Sequence, residues 1–127
     1  MKKIITISLL LLSVFTSCVQ KEHQKNVTFI VDTNGIDGIE TLGIRGSFLP
    51  NQWRESYPLT DENNDGIYEV NFQEETAVNS ITFKFVKNGF DYELKNENNR
   101  KITFEYKPET LIYQTKFNDT TATIIKK

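Results

Sequence analysis

The chain has 127 residues, a single cysteine, a single histidine and a formal net charge of −2 at pH 7. So balanced a charge argues against a nucleic-acid partner held by electrostatics, and one cysteine excludes an internal disulfide. With 38% hydrophobic and 12% aromatic residues, the chain can fill one modest core but not two.

Residues 1-17 carry Lys2 and Lys3, an apolar run from Ile4 to Leu12 relieved by Thr6 and Ser8, and small residues before Cys18. This pattern predicts an export signal, too short and wrongly flanked for a membrane span. The stretch Phe15-Thr16-Ser17-Cys18 resembles the lipobox of bacterial lipoproteins, with phenylalanine where leucine is usual. That resemblance implies a lipidated Cys18 as mature N-terminus; the alternative is an ordinary secretory signal followed by an incidental cysteine. Each buried acyl methylene contributes about 0.8 kcal/mol, so stable anchoring needs the several chains that multiple acylation supplies. The expected location is the bacterial cell envelope, on the periplasmic or surface side of the outer membrane.

Without residues 1-17, 127 − 17 = 110 residues remain, and the loss of Lys2 and Lys3 takes the formal charge to −4. Residues 18-26 are polar and unpatterned after the cysteine and read as a tether. The domain then spans 27-127.

From Val27 onward the hydrophobic period is two. Val27, Phe29 and Val31 share one face; Leu42, Ile44 and Phe48 another, with Arg45 and Ser47 opposite. After the irregular segment from Leu49 to Gly66 come Tyr68, Val70 and Phe72, then Ile81, Phe83 and Phe85, which leaves Thr82, Lys84 and Val86 facing away. Asn88-Gly89 marks a turn, and the alternation resumes through Phe90, Tyr92 and Leu94 and runs on to Phe117. No window shows a capped helical stripe. The expected fold is all-β, an immunoglobulin-like antiparallel β-sandwich of about seven to eight strands.

Catalytic chemistry is poorly provided for. His23 falls in the tether without a fixed neighbour, no serine sits in a nucleophile elbow, and the carboxylates are scattered through turns. The segment Asp61 to Gly66 places Asp61, Asn63 and Asp65 at alternate positions, but Phe72 stands where a calcium-binding EF-hand loop needs glutamate. It reads as a solvated turn. No cofactor and no metal is expected.

The residues that suggest a ligand are Trp53, Lys84, Tyr92 and the amides before Arg100. Sugars stack their apolar C–H faces on flat rings and need donors and acceptors at their hydroxyl edges. Core burial of Trp53 and a solvated Lys84 are the plainer alternatives.

The ordered set of a glycine-led strand followed by Trp53, a leucine before a polar turn, the strand Phe83-Lys84-Phe85, Tyr92-Glu93 and Asn99-Arg100 resembles the starch-binding modules of carbohydrate-binding family 20 and the wider glycogen-binding superfamily. The resemblance covers about residues 27-117. It implies one sugar site built from Trp53, Lys84 and Tyr92, with Glu93 and Asn99 adjacent. The family's second site lacks its aromatics here. The expectation is therefore a non-catalytic, lipid-anchored module for α-glucan, working beside glycan-processing partners of the envelope. The alternative is an interaction domain of the same fold without a sugar site.

Overall fold

The computed structural model describes residues 19–127; the leader and Cys18 lie outside them. Among the described residues, nine strands form two sheets. In the first, β1 (His23–Asp32) lies between β4 (Ile67–Thr76) and β8 (Glu109–Lys116), and β9 (Ala122–Lys126) closes the far edge. In the second, β2 (Leu42–Gly46) lies between β3 (Tyr57–Leu59) and β5 (Ser80–Lys87), which also carries β6 (Asp91–Tyr92) and β7 (Arg100–Thr103). Among the described residues the one helical element is a 3-10 turn at Gln52–Arg54.

The sandwich is thus as expected, with two differences in detail. The count is nine because β3 and β6 are three and two residues long, too short for a visible period. The pairing of β1 with β8 is parallel, whereas all the others are antiparallel.

Alternation puts the apolar residues of both sheets into one core. Val27, Phe29 and Val31 oppose Leu111, Tyr113 and Thr115 on β8 and Phe72, Val70 and Tyr68 on β4. Across the sandwich the Phe29 ring meets Phe83 edge-on at 4.9 Å, and Phe83 meets Tyr113 at 5.0 Å. Such aromatic pairs each contribute about 0.5–1.5 kcal/mol beyond the area they bury. Gly46 allows β2 to lie tightly on β5: an added Cβ would come within 2.6 Å of the Thr82 carbonyl oxygen.

The strand begins earlier than the expected tether allows, because β1 starts at His23. Lys25 occupies an inward position and is buried. Its ammonium pairs with Glu109 at 2.7 Å, donates to the Glu105 and Lys107 carbonyls, and lies 5.0 Å from the Phe104 ring centroid. An inward lysine interrupts the apolar period and hides the start of the strand. His23, likewise expected in the tether, packs edge-on against Tyr106 at 4.5 Å.

The turn from Asp61 to Gly66 is built by its own side chains. Asp61 accepts from the Asp65 and Gly66 amides, and Asp65 accepts from the Ile67 amide at 2.9 Å.

Candidate functional site

The outer face of the second sheet carries Gly43 and Arg45 on β2, Thr82, Lys84 and Val86 on β5, and Tyr92 on β6. The register sets Arg45 opposite Lys84, and Val86 opposite both Gly43 and Tyr92. Two cations opposite each other on a strand pair repel. Each is therefore drawn to acceptors of its own.

Arg45 gathers three segments. Its Nε donates to Ser56 Oγ at 3.0 Å, Nη1 to the Tyr92 hydroxyl at 3.0 Å and to the Trp53 carbonyl at 3.3 Å, and Nη2 to the Gly89 carbonyl at 2.7 Å. Tyr92 in turn donates its hydroxyl to the same Trp53 carbonyl at 3.2 Å. The guanidinium also lies over the Tyr92 ring, 5.3 Å from its centroid. Trp53, in the 3-10 turn, is half-buried.

Lys84 turns the other way along the face. Its ammonium donates to the carbonyls of Leu94 at 2.9 Å and Glu97 at 3.0 Å. Leu94 has a φ of 50°, a left-handed conformation that costs a leucine on the order of 1 kcal/mol or more. Lys84 holds its carbonyl, and Asn118 Oδ1 accepts from its amide at 2.9 Å. Lys84 thus fastens the loop that follows β6, with one of its three ammonium protons uncommitted.

Glu93 does not join the site. It faces the core at 1% exposure, where Arg100 meets it through Nε at 2.6 Å and Nη2 at 2.9 Å, and the Phe85 and Asn118 amides complete its shell. Burial alone would lower the Arg100 pKa, but its hydrogen bonds to Glu93 and the carboxylate charge carry it above the ordinary value. A carboxylate enclosed in this way cannot reach a sugar hydroxyl. Asn99 lines a separate open groove with Leu94, Lys101, Thr120 and Ile124.

Of the five residues expected to form one site, the structure brings Trp53 and Tyr92 together. It sets Lys84 on their face with a structural duty, buries Glu93 and sends Asn99 elsewhere. Two contributors escaped the sequence pattern. Arg45 reads as a routine outward residue of β2, and the opposition to Lys84 that marks it appears only with the register. Phe90 shares the parity of Leu94 and reads as buried, yet it is 78% exposed, because the turn at Asn88 and Gly89 (φ 54° and 83°) breaks the alternation. A roomier groove lies between β3 and β4, lined by Pro58, Thr60, Asp65, Ile67 and Glu69 among others, but it has no aromatic ring on its walls.

No family model and no curated protein matches the sequence. Among solved structures, the chain is similar to CBM25-2, a carbohydrate-binding module of a β/α-amylase from Paenibacillus polymyxa. The superposition has a TM-score of 0.50 at 14% identity and covers 83% of this chain and 94% of that one. The two chains share a β-sandwich fold. At this identity the likeness carries the architecture alone.

Proposed function

We propose that the protein is a non-catalytic, lipid-anchored module that binds an α-glucan at the bacterial cell envelope. The observation that carries this reading is the clamp on Trp53: Arg45 and the Tyr92 hydroxyl both donate to its backbone carbonyl, which ties the 3-10 turn bearing the ring to the outer face of the second sheet. A stacking site gains from such a fixed backbone, since a segment already ordered loses less freedom on binding. The fold shared with a carbohydrate-binding module of an amylase supplies an architecture on which such a site can be built. The lipobox-like stretch ending at Cys18 supports the anchor, which incorporation of labelled palmitate, abolished by Cys18→Ser, tests directly.

The binding test is co-sedimentation of the protein with insoluble starch, beside cellulose and beside Trp53→Ala. Retention on starch alone, lost in a variant that keeps its unfolding temperature, supports an α-glucan site at Trp53. A second reading, an interaction domain without a sugar site, draws on the inward engagement of Lys84 and the covered face of Tyr92. Absence of retention on either polymer decides for it.

A further inference from the structure

Resting on the α-glucan reading above, we propose that Phe90, and not Tyr92, supplies the second stacking ring beside Trp53. Tyr92 is occupied on three counts: its hydroxyl donates to the Trp53 carbonyl, the same hydroxyl accepts from Arg45, and one face of its ring lies under the guanidinium. It supports the site rather than meeting the sugar.

Phe90 has the opposite surroundings. The residue is 78% exposed, at the end of the turn between β5 and β6. That turn is fastened on several sides. Asn88 Oδ1 accepts from the Glu40 and Thr41 amides, and its Nδ2 donates to the Gly38 carbonyl at 2.7 Å. The Gly89 carbonyl accepts from Arg45, and Asp91 lies between Lys87 at 3.6 Å and Lys95 at 2.9 Å. The guanidinium that donates to the Gly89 carbonyl also donates to the carbonyl of Trp53, so the two aromatic segments are tied to one group. A large ring kept in water on a rigid turn is a preorganised apolar platform.

The polar groups of this face are mostly committed to the protein's own acceptors: the Tyr92 hydroxyl, the Arg45 donors and two protons of Lys84. Recognition therefore rests on ring surface, and the affinity should change little with salt.

The test is native electrophoresis of the full chain, held in a non-glycosidic detergent, through gels containing soluble amylopectin. Trp53→Ala, Phe90→Ala, Phe90→Leu and Phe90→Trp are run alongside, each checked for an unchanged unfolding temperature. Stacking of this strength predicts that Phe90→Ala and Phe90→Leu weaken retardation about fivefold to tenfold, while Phe90→Trp keeps or strengthens it. Full retardation of Phe90→Ala, together with loss in Trp53→Ala, overturns the role of Phe90 and leaves the glucan site standing. Full retardation of Phe90→Leu overturns stacking in favour of mere apolar contact. No retardation of the unaltered protein overturns the role together with the reading on which it rests.

Discussion

Arg100 grips Glu93 with two nitrogens inside the sandwich, Nε to Oε1 at 2.6 Å and Nη2 to Oε2 at 2.9 Å, with side-chain exposures of 2% and 0%. The remaining guanidinium protons reach Tyr113, Thr115 and the carbonyls of Lys116 and Asp119. The pair ties β7 to the end of β8 and to the turn beyond it. Glu93→Ala leaves the guanidinium buried without its counter-charge and should lower stability by about 3–5 kcal/mol, read from urea unfolding. A Glu93→Leu, Arg100→Met double variant should recover much of that loss; equal destabilisation of the single and double variants would refute the explanation.

Removal of the Tyr92 hydroxyl tests the clamp. Tyr92→Phe deletes one donor to the Trp53 carbonyl and one acceptor of Arg45 while it keeps the ring. Stability should fall by about 0.5–1.5 kcal/mol. Starch retention should fall as well, although the variant removes no sugar contact, because the Trp53 carbonyl is then held by Arg45 alone. Unchanged stability with unchanged retention would count against the clamp.

Lys84→Met separates a ligand role from a structural one. The methionine keeps the stem and loses the two bonds to the Leu94 and Glu97 carbonyls. Limited proteolysis should cut between residues 94 and 99 several times faster than in the unaltered protein. A variant with weaker sugar binding and an unchanged cleavage pattern would instead place the ammonium on the ligand.

The turn before β4 should loosen in acid. The Ile67 amide, foremost, holds the Asp65 carboxyl below its ordinary 3.8, and the Asn63 amide adds to it. A folded-state pKa below the unfolded value stabilises above the unfolded pKa, and the contribution disappears as pH falls through the lower folded value. The Asp65→Asn variant should therefore melt below the parent at pH 7, and the gap should close as the pH drops below about 4. A gap that stays constant down to pH 3 would remove Asp65 from the acid response.

Much of the core was legible because it obeys period two without interruption. Phe29 between Val27 and Val31, and Phe83 with Phe85, sit where alternation places them. What was hidden within the core has one physical character: a charge at an inward position. Lys25 needs Glu109, 84 residues away, and Glu93 needs Arg100. Neither partner can be named before the strands are paired. The same holds for the site, where Trp53 and Tyr92 were visible as flat rings but Arg45 acquires its role only from acceptors on three separate segments.

The position of β1 between an antiparallel β4 and a parallel β8 has a consequence for synthesis. Of the described strands, the first to leave the ribosome is interior to its sheet, and one of its two neighbours is complete only when Lys116 has emerged. Until then its Glu109 counter-ion does not exist, and Lys25 has no reason to leave water. Pairings so distant in sequence close slowly. The nascent domain should therefore stay unfolded until β8 has been made.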